Sequence, residues 1–216
     1  MNPPPFPEYS VRDLEKIARD LLRERWPTLA IPVDIDLIVE REPGVVLDTL
    51  RGLKELCGVA GATVYHPKED RFTVFIDDLV ADGNPGFYRF TVAEELGHLK
   101  LHSSVLRKVK TIQDADALHA SKAYQTADRN AKWLASALLM PADPLLQDAR
   151  QLYAGLVKEC EFAQPALFQR LLLTRLSQKY VVNVTPMQYR LQRWPLRVWE
   201  KVDQALKDRA DSLPLV

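Results

Sequence analysis

The sequence predicts an α+β fold: helices with a small antiparallel sheet up to about residue 142, followed by a helical, helix-turn-helix-like C-terminal region. Three observations predict it. Apolar residues recur at helical spacing in the runs 11–22, 85–102 and 126–140. Between 45 and 77 the texture changes to β-branched and aromatic residues punctuated by glycine. From 165 to 199 the chain is again helical, and it carries Arg170, Arg175, Lys179, Arg190, Arg193 and Arg197 with no Asp or Glu. The expected organisation is a proline-rich arm at 1–9, a first domain at 10–142 and a helical region at 143–216.

At 216 residues, 47% hydrophobic and 27% charged, the chain has a globular composition, which argues against wholesale disorder and against a disulfide-stapled mini-fold. Lys+Arg and Asp+Glu both number 29, so the net charge is zero and gives no global attraction to nucleic acid or to an anionic membrane. The two cysteines, Cys57 and Cys160, are far apart and form no C-x-x-C pair. A basic and apolar leader is lacking, as is any stretch of about 18 apolar residues, so the expectation is a cytoplasmic protein with no membrane partner.

Taken in order, Ser10 is placed to cap a helix with Asp13 in its first turn, and Val11, Leu14, Ile17, Ala18, Leu21 and Leu22 give that helix one apolar face. Asp34 to Glu40 reads as a shorter helix ended by Pro43-Gly44. Strands are expected near 45–49, 57–65 and 71–77, the last two joined by the polar turn His66-Pro67-Lys68-Glu69-Asp70. Pro85 suits the first turn of a helix running to about His102. Residues 103–123 are polar and poorly periodic. Thr126 to Met140 is helical and stops at Pro141, a further helix is expected at 143–156, and Thr185-Pro186 looks like a new N-cap and first helical residue.

The run Phe90-Thr91-Val92-Ala93-Glu94-Glu95-Leu96-Gly97-His98-Leu99-Lys100-Leu101-His102 is one substitution from H-E-x-x-H. In that motif two histidines at i and i+4 share a helix face and hold zinc, and the glutamate is the general base. Here Glu94 stands at the first position. Four residues advance a helix by about 400°, so Glu94 and His98 still lie within about 40° of each other.

With these residues the chain resembles the ImmA/IrrE family of zinc metallopeptidase-like proteins. The resemblance rests on Arg89-Phe90-Thr91-Val92-Ala93-Glu94-Glu95-Leu96-Gly97-His98 with His102, and about thirty residues on, Asp128-Arg129-Asn130-Ala131-Lys132-Trp133-Leu134-Ala135-Ser136-Ala137-Leu138-Leu139-Met140-Pro141. It implies a zincin-like minimal metallopeptidase domain, with Glu95 as general base and the ligand positions falling on Glu94, His98 and Asp128. Two of those positions depart from the family's His/His/Glu set. An oxygen-rich Glu/His/Asp site weakens zinc as a Lewis acid and suits Mn²⁺ or Mg²⁺ better than two histidines do; a site without metal is the third expectation. His102, His119, Tyr88 and Tyr124 are the candidates for an outer-sphere or proton-donating role. In zincins a strand edge beside the motif helix holds extended substrate, and Arg71, Phe72, Thr73, Val74 and Phe75 are the expected edge.

The resemblance implies a metal-dependent endopeptidase acting on a partner transcriptional repressor or an antitoxin. Two other functions fit the residues: a non-catalytic descendant whose cleft binds a regulatory protein, and a DNA-binding regulator using the basic C-terminal helices. In the latter, Gln188, Arg190, Gln192 and Arg193 would face the bases, the phosphates or a partner protein. His66 and His119 read as solvated surface residues.

Overall fold

The computed structural model describes residues 6–159 and 165–211. The start of the proline-rich arm and Cys160 lie outside the described residues, while Cys57 is exposed and free. The chain divides into two compact units between Leu139 and Met140.

The first unit contains α1 (Val11–Arg25), α2 (Ile35–Glu40), β1 (Val45–Leu50), α3 (Leu53–Cys57), β2 (Gly61–His66), β3 (Arg71–Asp77), α4 (Asp78–Ala81), α5 (Pro85–Leu106), α6 (Ile112–His119) and α7 (Lys122–Leu139). Helix α1 starts at a capping box in which the Ser10 hydroxyl accepts from the Asp13 amide and the Asp13 carboxylate accepts from the Ser10 amide. It buries Leu14, Ala18, Leu21 and Leu22. Helix α5 starts at Asn84, whose side chain accepts from the Phe87 amide, with Pro85 in the first turn where its missing N–H costs nothing. Helix α6 falls in the stretch read as polar and aperiodic. Eight residues with an acidic exposed face give little apolar period, and the Thr111/Asp114 capping box is what sets its start.

The sheet runs β1-β3-β2. β2 and β3 form the expected antiparallel hairpin, with Gly61 opposite Ile76 and His66 opposite Arg71. β1 instead joins β3 in parallel, Val45 opposite Phe72 and Leu50 opposite Asp77, so the sheet is mixed rather than purely antiparallel. The strands do alternate in direction along the chain. However, residues 51–60 carry the chain past the place next to β1, and β3 fills the gap. Those residues include α3, flanked by Gly52 and Gly58 with left-handed φ of 78° and 72°, so the strand expected from residue 57 begins only at Gly61.

The expectation that Arg71, Phe72, Thr73, Val74 and Phe75 form a substrate-binding edge is overturned, because β3 is hydrogen-bonded on both sides. Its sequence carries the mark of a central strand. Phe72, Thr73, Val74, Ile76 and Asp77 are all buried, a nearly continuous run rather than an alternation. At its end the buried Asp77 carboxylate accepts from the amides of Lys54 (2.8 Å) and Leu79 (3.1 Å), which ties α3 and α4 to the sheet. The strand with a free edge on the α5 side is β2.

Helix α5 packs chiefly on α7 and lies against β2 and β3, while α1 also packs on α7. Two glycines set these approaches. A Cβ on Gly97 would stand 2.8 Å from the Ala131 carbonyl oxygen and 3.0 Å from the Ala131 Cα, so α5 and α7 cross backbone to backbone there. A Cβ on Gly61 would meet Thr91 Cγ2 at 2.8 Å and Glu95 Cγ at 3.0 Å, so β2 lies directly on the motif helix. Polar ties fix the rest of α5. The Arg89 guanidinium donates to the Val33 carbonyl at 2.7 Å, and the buried Glu42 accepts from Arg25 at 3.1 Å and from Lys100.

The second unit contains α8 (Ala142–Glu159), α9 (Pro165–Tyr180), α10 (Val184–Gln192) and α11 (Val198–Asp211), with α9 packed on α8, α10 and α11. Its core includes Leu145, Leu156, Phe168, Leu172, Leu176, Met187 and Leu191. The buried Tyr180 hydroxyl donates to Asp148 at 2.8 Å. No described helix is long and apolar enough to cross a membrane.

The α5–α7 crossing gives a direct test. Gly97→Ala inserts a methyl against backbone that cannot rotate away, so it should cost about 1–3 kcal/mol. Thermal melting should show a Tm lowered by several degrees, and an unchanged Tm would remove the close crossing as a structural requirement.

Candidate active site

The buried face of α5 presents Glu94, His98 and His102 at successive turns, and α7 brings Asp128 across from the other side of the Gly97 crossing. Glu94, His98 and Asp128 each offer a ligand atom, and those atoms lie within 4.8 Å of one another. One nitrogen and two carboxylate oxygens on that triangle form a donor set that a single divalent ion can bridge with small side-chain rotations, so the residues fit a metal. The helical spacing read from the sequence therefore does produce a cluster, and the shorter Asp128 does reach it.

His98 is buried, and burial lowers its pKa to about 4. His102 is fully buried, and burial together with the neighbouring His98 lowers its pKa to about 3. Both rings are therefore neutral at physiological pH, the form in which imidazole binds metals. Their Nδ1 atoms face each other at 3.3 Å. One of the two must carry the proton, and if it is on His98 the Nε2 of His98 is left with its lone pair free for a ligand. His102 thus acts on the cluster through His98 rather than as a ligand of the same ion.

Glu95 lies against β2, close enough to Glu94 and Asp128 to feel their charge. Thr63 on β2 donates its hydroxyl to Glu95 Oε2 at 2.8 Å. Burial raises the Glu95 pKa to about 8, opposed by the Thr63 bond and assisted by the charges of Glu94 and Asp128. Burial also raises Glu94 to about 7, with Lys132 lowering it and Asp128 raising it. Lys132, one turn beyond Asp128 on α7, donates to Asp128 Oδ2 at 2.8 Å and lies 3.7 Å from Glu94 Oε1.

The other sequence candidates divide. Tyr124 is brought in: its ring stacks on His98 with a centroid distance of 5.7 Å and an interplanar angle of 5°, and burial keeps its phenol protonated. His119 is exposed, and its ring lies 4.5 Å from that of Tyr124. Tyr88 is not brought in, because its hydroxyl donates to Asp36 at 3.1 Å at the α2 end of the helix. His66 bonds to Thr73 Oγ1 across the hairpin at 3.0 Å instead of standing free in the turn.

In the second unit Gln188, Gln192 and Arg193 are exposed, but Arg190 is buried and its Nε donates to the Met140 carbonyl at 3.0 Å. Arg190 is a structural residue there, since a buried carbonyl needs a donor and α10 supplies one. The proposed recognition row thus lacks its central arginine.

Sequence reasoning missed Thr63 and Lys132. Lys132 could have been found, since it stands four residues after Asp128 on the same helix face. Thr63 could not, because only the packing of β2 on α5 places it against Glu95.

The IrrE N-terminal-like domain, a peptidase M78 description, matches residues 71–191, which is more than half of the chain and includes every residue of the cluster. The chain belongs to the IrrE N-terminal-like domain family. A Mycobacterium tuberculosis transcriptional regulator has a similar fold, with a TM-score of 0.52 at 14% identity over 86% of this chain and 49% of that one. The chain therefore spans about half the length of that structure. No curated protein matches it. Membership accounts for the mixed helical and sheet architecture and makes the domain metallopeptidase-like. It leaves the activity of this IrrE-like site to its own residues.

The buried Glu95 has a consequence for stability. A carboxyl whose folded pKa lies near 8, against 4.5 when unfolded, binds its proton more tightly in the native state, so native stability falls as pH rises from about 4.5 to about 8. In metal-free protein, Glu95→Gln should therefore melt above the wild type at pH 8.5 and close to it at pH 4.5. Parallel melting curves over that range would remove the buried carboxyl as the cause.

Proposed function

We propose that this protein acts on a regulatory protein, a transcriptional repressor or an antitoxin, by taking one of its extended segments along the free edge of β2 and presenting the segment's backbone to Glu95. The observation that carries this reading is the Thr63–Glu95 bond, which couples the outermost strand of the sheet directly to the general-base position. A sheet edge offers unpaired N–H and C=O groups at the spacing of an extended peptide, and strand addition gives affinity without a deep pocket.

Glu94, His98 and Asp128 are the residues that would hold a divalent cation, zinc or the more oxygen-preferring Mn²⁺ or Mg²⁺. When bound, such an ion supplies Lewis-acid polarisation of a carbonyl and makes a coordinated water more acidic. The chain's own contribution is then a proton taken at Glu95 Oε1 or Oε2, an orientation of that carboxylate by Thr63, and neutral His98 positioned by its Nδ1 contact with His102. Two carboxylate ligands donate more charge to the ion than one does, so hydrolysis at neutral pH is expected to be slow.

A non-catalytic form of the same reading, in which the cleft holds the partner without cutting it, fits the metal-free protein, where burial raises the Glu95 pKa to about 8 and keeps the carboxyl mostly protonated at pH 7. A role in DNA reading is less well supported, since it loses Arg190 to the core of the second unit.

The test is incubation of wild type and Glu95→Gln with candidate repressors and antitoxins from the same genome, in the presence of Zn²⁺ or Mn²⁺. Cleavage by the wild type that falls by about 10²–10⁴ in the variant, with binding retained, identifies Glu95 as the base. Binding without cleavage by either form identifies the non-catalytic role. Loss of both binding and cleavage in the wild type would sink the proposal.

A further inference from the structure

We propose that Lys132 is the built-in counter-cation of this site: its ammonium neutralises Asp128 and Glu94 in the resting protein, and a divalent ion enters only by displacing it. The inference rests on the reading of Glu94, His98 and Asp128 as an ion site and assigns that site its competitor.

The Asp128–Lys132 contact by itself is an ordinary i,i+4 helix pair, worth little on an exposed surface. Two features set it apart. Lys132 also reaches Glu94 on a different helix, so one ammonium spans both carboxylates that the ion would need. Both carboxylates are withdrawn from solvent, with side-chain exposures of 21% for Glu94 and 28% for Asp128, where an unneutralised negative pair is costly. Among the described residues no other cation forms an ion pair with either carboxylate.

The other neighbours cannot take over. His98 and His102 are neutral, and Glu95 carries no positive charge in either protonation state. The Lys132 side chain is itself half exposed, on a flexible four-carbon stem, so it can swing into solvent when a dication arrives. Monovalent ammonium and divalent metal therefore compete for the same oxygens, and the wild-type site holds metal weakly without being broken.

The test uses the full chain and Lys132→Met, which keeps the helix-forming stem and removes the charge. Zinc binding is followed by titration calorimetry and checked by elemental analysis after dialysis. The expected result is zinc binding at least tenfold tighter in Lys132→Met than in the wild type. In the metal-free state the expected result is a Tm lowered by about 2–4 °C, recovered when Glu94→Gln and Asp128→Asn are added. Zinc affinity in Lys132→Met equal to or below that of the wild type would overturn the displacement. A metal-free Tm that does not depend on the charge of Glu94 and Asp128 would overturn the counter-cation role. If the Tm coupling holds but neither form takes up zinc or Mn²⁺, displacement is overturned and the ion-site reading fails with it. Failure of partner cleavage or binding, measured separately, leaves the competition at this site untouched.

Discussion

The site depends on how closely α5 and α7 cross at Gly97 and Ala131. Asp128 and Lys132 lie on one helix and Glu94 and His98 on the other. Glu94, His98 and Asp128 must come within reach of a single ion and Lys132 within reach of both carboxylates, and helices with ordinary side chains at the contact stay about 8–10 Å apart axis to axis. The missing side chain at Gly97 lets the Ala131 backbone sit where a Cβ would be. That contact converts two separate helix faces into one cluster, and both helices are then held by polar ties. Glu42 ties α5 to the end of α1, Arg89 ties it to the Val33 carbonyl, and Trp133 of α7 donates to Glu15 of α1 at 3.0 Å.

The same compactness creates the electrostatic problem the site must solve. Burial penalises the charge of two carboxyl groups, Glu94 and Glu95, a third carboxyl, Asp128, lies beside them, and the two neighbouring imidazoles are neutral because they too are buried. Protonation of Glu95, a hydrogen bond from Thr63 and the ammonium of Lys132 are the three means present of reducing that cost. A divalent ion would be a fourth, and it would compete with the third. The acidity of Glu95 and the occupancy of the ion site are therefore linked, since each cation brought near favours the ionised carboxylate.

Much of the fold was legible. The capping box at Ser10 and Asp13, the N-cap and proline at Asn84-Pro85, and the stop at Pro141 are local signals, and local signals survive packing because they satisfy backbone groups within a few residues. The hairpin turn at 66–70 was legible for the same reason. The sheet order was not, because alternation in strand direction is compatible with several orders, and nothing in residues 51–60 says that they skip a position. The error over the edge strand follows from this. The buried run Phe72-Thr73-Val74 was in view, but it was read for its closeness to the motif rather than for its lack of an exposed face. Arg190 was misread for a related reason: a basic residue in a basic stretch looks available until its helix is packed and its guanidinium is found on the Met140 carbonyl.

By itself the sequence determined the family, the helix that carries the chemistry, and the identity of the residues on its functional face, because helical period and short motifs are set by spacing along one element. Only the tertiary structure decided that Asp128 reaches the cluster, that Thr63 holds Glu95, that Tyr88 stands apart, and that β2 rather than β3 offers the free edge. Each of these is a contact between residues distant in sequence. Such contacts are set by which faces pack together and how closely, a question on which the residues within any one element carry no information.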